Sequence, residues 1–375
     1  MPFKAPPNVP SAQCISLIRK NNGRYADVMS GTSGISILKP LWSRLPDGRW
    51  SICGVKGIQL KPKKGFSPDF FAFESDLELM TPTPPKNLGD FFASFGSTDH
   101  LLKQSILPVV AWPLGADSVR CIGTSFVVSA SGYVVTASHV LLDPQESGYA
   151  KPKVREGNAD IQPDLLMGVA IPVNPATGTR GFHIVPFEEG WYWGQWEESP
   201  LLHEPHRLNR LTDVAICKLP VRTDGSAYQA LGLSLFPFEM GEGAFAVGYA
   251  EMKDIAVETT NGVLRFGEFD PELFVSFGEV TELHPDNHIK RDSSTPGPSF
   301  DFRARIPGKM SGAPIFGAQG AIIRGVVSRS FQDERHASGC MIGPVMTLPF
   351  GTDKSLKKLM DSGTEGIAVV RGRGL

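Results

Sequence analysis

The 375-residue chain is poor in the features that most often announce a function. Its five cysteines (Cys14, Cys53, Cys121, Cys217 and Cys340) are odd in number, scattered, and form no C-x-x-C pair, so neither a disulfide framework nor a zinc site is implied. Charge of one sign is also lacking. With 37 Lys+Arg against 39 Asp+Glu the formal charge is −2, and the longest basic cluster is Lys61-Pro62-Lys63-Lys64. A nucleic-acid partner would call for a basic stripe, so none is expected. No apolar run reaches the roughly 18 residues of a membrane helix, so no membrane partner is expected either. The start, Met1-Pro2-Phe3-Lys4-Ala5-Pro6-Pro7, has no apolar core of a secretory signal. Reduced thiols in a cytoplasmic protein are the expectation.

Glycine (40) and proline (31), by contrast, make up nearly a fifth of the chain, against an ordinary share of about 12%. With 41% apolar residues such a chain can bury a large core but must turn often, which favours short strands. Strand signals lie at Ile35–Trp42, Trp50–Val55, Ser105–Trp112, Gly123–Ser129, Tyr133–Ala137 and Asp213–Leu219. Others follow at Ala244–Tyr249, Ile255–Glu258, Leu273–Phe277, Ala313–Phe316 and Ala321–Ser328. A helix is expected only at Ser355–Met360, capped by Asp353 or Ser355. The run Thr81-Pro82-Thr83-Pro84-Pro85-Lys86 reads as a stiff linker that ends an N-terminal domain or extension, residues 1–88, of unknown role.

Three distant segments carry chemistry. Gly123-Thr124-Ser125-Phe126-Val127-Val128 leads through Thr136-Ala137-Ser138-His139-Val140 to a histidine just past a buried strand. Thr212-Asp213-Val214-Ala215-Ile216 opens a strand with an acid, and Gly308-Lys309-Met310-Ser311-Gly312-Ala313-Pro314-Ile315 sets a serine in a glycine-flanked turn. Each alone has an ordinary reading as a loop or turn residue. Together, in the order His…Asp…Ser, they fit one reaction. A serine hydroxyl needs a base to become a nucleophile, histidine works as base and then acid near neutral pH, and a carboxylate fixes its tautomer.

These segments resemble the trypsin-like (chymotrypsin-fold) serine peptidases, in their bacterial, disulfide-free form. The resemblance covers about residues 102–362 and implies a mainly β protein of two six-stranded antiparallel barrels with a C-terminal helix. The first barrel would span 89–222 with a long insertion at about 141–211, the second 223–362, and a tail 363–375. It implies His139 as general base, Asp213 as its orienting acid and Ser311 as nucleophile, with the N–H groups of Lys309 and Ser311 as oxyanion hole. Gly325-Val326-Val327-Ser328 resembles the strand lining the substrate cleft, which places Ser328 and Arg329 there, with Ser328 also near the acid.

The pattern departs at three places. Lys309 stands where the family has glycine, and its side chain is expected to disturb the peptide that aims an N–H at the oxyanion. Met310 precedes the serine in place of aspartate, so activation by a freed N-terminus is unavailable. Arg305, six residues before Ser311, occupies the pocket-base position and argues against cleavage after Lys or Arg. The expected function is an intracellular serine endopeptidase acting on protein or peptide substrates, without metal or organic cofactor. Regulation by the N-terminal region or by a protein partner fits the same residues, and so does the alternative of a catalytically silent scaffold disabled by Lys309.

Other signals are weaker. Trp191-Tyr192-Trp193-Gly194-Gln195-Trp196 reads as packing or as an aromatic binding surface. In His203-Glu204-Pro205-His206 the proline breaks the helix that would aim both histidines at a metal. Gly241-Glu242-Gly243 reads as the opening of a strand, and the phenylalanines of Asp69–Phe73 and Asp90–Phe95 as domain packing.

Overall fold

The structure, a computed structural model, describes residues 35–63, 70–72, 76–79, 102–144, 154–155, 158–159, 164–173, 181–197, 207–261, 263–285, 295–317, 320–330, 335–363, 365–367 and 369–370. The Pro-rich start, the 81–86 linker, the 90–95 phenylalanines, the 203–206 histidines and the last five residues lie outside them.

The chain enters through β1 (Ile35–Arg44) and β2 (Trp50–Pro62), an antiparallel hairpin turning at Leu45–Arg49 as expected. β3 (Phe70–Ala72) leaves this hairpin to pair with a strand of the second barrel, and β4 (Leu77–Leu79) returns to β2. Through β3, the described part of the N-terminal region is joined to the second barrel.

The first half holds β5 (Ile106–Pro113), β6 (Ser118–Val127), β7 (Tyr133–Thr136) and the short helix α1 (Ser138–Pro144). β8 (Val154–Arg155), β9 (Asn158–Ala159), β10 (Leu165–Val173), β11 (Gly181–Pro186), β12 (Glu189–Glu197) and β13 (Arg207–Lys218) follow. Nine of these strands run β11-β10-β5-β6-β7-β13-β12-β9-β8 in one curled antiparallel sheet. Among the described residues this sheet forms a half-barrel rather than the expected closed ring. The physical reason is the long 141–211 stretch, which adds strands at both edges instead of bulging out as a loop. β5 shows why so apolar a run is stable. Ile106, Val110 and Trp112 enter one core, while Leu107, Val109 and Ala111 enter another, so both faces are buried.

The second half begins with β14 (Leu233–Ser234), β15 (Gly243–Tyr249) and the hairpin β16 (Ile255–Thr260) and β17 (Val263–Phe266). It continues through β18 (Leu273–His284), β19 (Ser299–Phe302), β20 (Pro314–Gly317), β21 (Gly320–Ser330) and β22 (Ala337–Met341). The turn α2 (Ile342–Val345), the helix α3 (Leu356–Ser362) and β23 (Val369–Val370) close the chain. Here the expected ring does close, in the order β15-β18-β19-β22-β21-β20 and back to β15. Phe238, Phe300, Phe302 and Ile315 fill it. A separate apolar layer joins the two halves, with Phe126 and Ile106 on one side and Phe245, Val247 and Tyr249 on the other. Tyr249 seals this layer by donating its hydroxyl to the Ile106 carbonyl at 3.1 Å.

The C-terminal helix lies where expected. Ser355 caps it by accepting from the Lys358 N–H at 3.1 Å, and Gly363 ends it in the left-handed conformation. Within the tryptophan stretch, Trp191 and Trp193 are buried packing residues on β12, and Trp193 donates its indole N–H to the Pro349 carbonyl at 2.8 Å. Gly243 does open β15.

Candidate active site

β7 ends at Thr136, and α1 begins two residues later, so His139 stands on the first turn of a helix that its short sequence did not announce. Its Nδ1 lies 2.8 Å from Asp213 Oδ2, and its backbone N–H donates to Asp213 Oδ1 at 3.0 Å. Asp213, on β13, is 1% exposed. Three further side chains donate to it: Ser138 through its hydroxyl at 2.6 Å, Arg210 through its guanidinium at 3.0 Å, and Ser328 through its hydroxyl. Burial opposes ionisation of this carboxyl. The charge and hydrogen bond of His139, the Arg210 guanidinium and the Ser138 hydroxyl outweigh it and hold the group well below the usual carboxylate range.

Ser311 sits in the turn between β19 and β20. Gly312, with φ +86°, is required there because a Cβ would fall 2.1 Å from the Thr124 carbonyl oxygen and 2.2 Å from Thr136 Oγ1. The turn is pinned to β6 by Thr124, whose N–H donates to the Ser311 carbonyl at 2.8 Å and whose hydroxyl donates to the Lys309 carbonyl at 3.0 Å. Across the turn, the Gly312 N–H donates to the Val327 carbonyl at 2.8 Å.

Ser328 links the nucleophile to the acid. The β21–β22 register slips between Val327 and Arg329, so Ser328 is an extra residue in a bulge. A bulge re-aims the side chain, and here the hydroxyl reaches Asp213 while the carbonyl accepts from Ser311 Oγ at 3.2 Å. The Ser311 hydroxyl thus rests on Ser328 rather than on His139.

Lys309 keeps the backbone of the glycine it replaces, with φ +74°, a conformation that costs a non-glycine residue about 1–2 kcal/mol. The preceding Gly308 carbonyl is held by the Glu251 N–H at 2.9 Å. In a trans peptide that turns the Lys309 N–H to the opposite side. Among the described residues, the N–H groups of Lys309 and Ser311 donate to no protein acceptor. The turn thus accommodates Lys309 in the left-handed backbone conformation.

The remaining expected residues divide. Arg329 follows the bulge on β21, half-buried and paired with Ser338. Arg305 has an exposed side chain, its guanidinium lies 5.8 Å from the Phe70 ring of β3, and its carbonyl accepts from Ser276. It faces the N-terminal region, because its neighbours Ala304 and Ile306 take the core-facing positions. Sequence reasoning missed Ser138, Arg210 and Thr295. Ser138 adjoins His139 and was legible in principle, whereas Thr295 reaches Ser328 Oγ at 3.4 Å only through the fold. Cys340 backs the site as a free thiol that burial and the Asp213 charge push up to about 12.

The family described as trypsin-like peptidase domain matches residues 123–323, a span that holds His139, Asp213 and Ser311 in order. No curated protein matches the chain. Among solved structures, Deg5 is similar at 17% identity and TM-score 0.37, covering 71% of this chain and 94% of its own. The active form of the Rv3671c protease from M. tuberculosis shows 17% identity and TM-score 0.35, covering 73% and 92%. An inactivated protease paralogue of the scabies mite shows 15% identity and TM-score 0.38, covering 72% and 96%. With more than half of its length matched by that family, the chain belongs to the trypsin-like peptidases.

Proposed function

We propose that Ser311, His139 and Asp213 act as a catalytic triad, making this member of the family a working serine endopeptidase for protein or peptide substrates. The observation that carries the reading is the pair of N–H donors at Lys309 and Ser311, without a protein acceptor among the described residues, together with a His139–Asp213 pair at 2.8 Å. On substrate binding the Ser311 hydroxyl turns from the Ser328 carbonyl to His139 Nε2. As its oxygen attacks the peptide carbonyl, the proton passes to His139, and Asp213 stabilises the imidazolium. The oxyanion takes the two N–H donors, each worth about 3–4 kcal/mol by analogy with measured oxyanion holes. His139 then protonates the leaving amine, and the acyl group on Ser311 is released by a water that His139 deprotonates. Ser328 and Arg329 would line the acyl side of the cleft.

Labelling with a fluorophosphonate probe tests this. Wild type should react, and Ser311→Ala and His139→Ala should not. One observation favours the silent-scaffold reading, namely that the Ser311 hydroxyl is bonded to Ser328. Absence of labelling, even with lysate added, would establish that reading instead. The cytoplasmic setting is part of the proposal, supported by the free, buried thiols of Cys121, Cys217 and Cys340. A regulatory role for the N-terminal region is supported by β3, which pairs with β18 and places Phe70 under Arg305 near the nucleophile turn.

A further inference from the structure

The strand that carries Ser328 also carries a cation to which the peptidase chemistry assigns no role. Val327 faces the core of the second barrel, and Ser328 is the extra residue of the bulge. Arg329 then stands opposite Ser338 of β22, and Ser338 stands opposite Asp301 of β19. Residues directly opposite in a sheet share a face. Asp301 lies between Phe300 and Phe302, which fill the barrel, so the face shared with Arg329 is the outer one. Arg329 is half-buried there, and among the described residues its guanidinium has no hydrogen bond, ion pair or ring contact. The acids on that face are engaged elsewhere. Asp301 accepts from the Ser338 hydroxyl at 2.7 Å through Oδ1 and lies 3.1 Å from His284 Nε2 through Oδ2, while Glu282 lies 3.9 Å from His284 Nδ1. An arginine keeps its charge at any working pH, and its planar fork matches a carboxylate, so this guanidinium is placed to receive an anion from outside the chain.

The strand edge decides which part of a substrate meets it. As far as Val327 that edge of β21 is occupied. β20 pairs with β21 up to Val326, the Val327 N–H donates to the Ala313 carbonyl at 2.9 Å, and the Val327 carbonyl accepts from the Gly312 N–H. From Ser328 to Ser330 no strand pairs with it among the described residues. The Ser311 hydroxyl lies on the Ser328 carbonyl, so a residue to be acylated sits beside Ser328. The substrate chain before that residue cannot run back along Val327, where the nucleophile turn lies. It must run along Arg329 and Ser330, antiparallel to β21. The residue just before the acylated one then stands opposite Arg329 and on the same face.

We propose that Arg329 is a specificity-determining residue, pairing with an aspartate or glutamate that directly precedes the acylated residue of the substrate. The inference rests on the peptidase reading and deepens it by naming a substrate class, peptides acidic at that position. A half-buried guanidinium gives such a pair more than an exposed one would, because salt screens it less. Lys309, whose ammonium also has no partner among the described residues, adds positive charge on the nucleophile turn itself.

The test is cleavage of a mixture of synthetic tetradecapeptides of varied sequence by the full chain, with cut sites read by mass spectrometry, beside fluorophosphonate labelling of the same preparation. Asp or Glu should directly precede the acylated residue about tenfold more often than Asn or Gln, which match them in size. Arg329→Gln should bring that ratio to parity, Arg329→Glu should turn the preference to Lys and Arg, and Arg329→Lys should keep most of it. Each ratio is taken within one protein, so a general loss of activity in a variant cancels. Should Arg329→Glu fail to fold, the Gln and Lys variants decide. An even distribution at that position in wild type, or an undiminished acidic preference in Arg329→Gln, would overturn the proposal while labelling leaves the triad standing. Labelling without any cut would also overturn it, since the mixture contains acidic peptides. Absence of both labelling and cleavage would refute the peptidase reading, and this inference with it.

Discussion

Gly312→Ala puts the nucleophile turn to its sharpest test. An added methyl would meet the Thr124 carbonyl oxygen at 2.1 Å and Thr136 Oγ1 at 2.2 Å, each more than an ångström inside ordinary contact. Neither atom can retreat easily, because Thr136 Oγ1 donates to that same Thr124 carbonyl at 2.7 Å. The turn must move instead, and three hydrogen bonds move with it: Thr124 N–H to Ser311, Thr124 hydroxyl to Lys309, and Gly312 N–H to Val327. At about 1 kcal/mol each, with a further 1–2 kcal/mol for alanine at φ +86°, the expected loss is about 4–5 kcal/mol. Urea unfolding would read this directly, and fluorophosphonate labelling should fall at least a hundredfold as the oxyanion donors lose their aim. Gly308→Ala is the matched control, since nothing lies within 4 Å of its Cβ position and its φ is ordinary. It should change stability by less than about 0.5 kcal/mol. A Gly312→Ala protein that unfolds within about 1 kcal/mol of wild type and still labels would refute the placement of this turn against β6 and β7.

Lys309→Gly should relieve the left-handed strain, raise stability by up to about 1 kcal/mol, and label at least as fast as wild type; slower labelling would assign the lysine side chain a positive role. Ser328→Ala removes one donor from buried Asp213 and should cost about 1.5–3 kcal/mol in denaturant unfolding, with slower labelling as His139 loses its fixed partner. Asp213 is held ionised in the fold, so its contribution to stability is complete above the unfolded carboxylate value, about 3.9. That contribution is lost as pH falls further. Against Asp213→Asn, the wild-type advantage in chemical unfolding should shrink on going from pH 5 to pH 2, and a constant gap would contradict this. Trp193→Phe removes the indole bond to Pro349 while keeping the ring, and should lower stability by about 1 kcal/mol without changing labelling.

Much of this protein is written locally. Glycine and proline frequency, with short Val- and Ile-rich runs, determined a mainly β chain, and Leu45–Arg49 and Ser355 determined a turn and a cap, because such preferences act within a few residues. The order of His139, Asp213 and Ser311 was also legible, because each stands in a short motif of its own. Helix α1 was not, since seven residues holding Val140, Leu141 and Leu142 read equally well as strand, and its packing decided the matter. Nor could the sequence tell that the 141–211 stretch would extend a sheet, because strand pairing is a long-range choice of register. The same reason hides Arg210, Thr295 and the bulge at Ser328, whose roles exist only once β13, β21 and β22 are side by side.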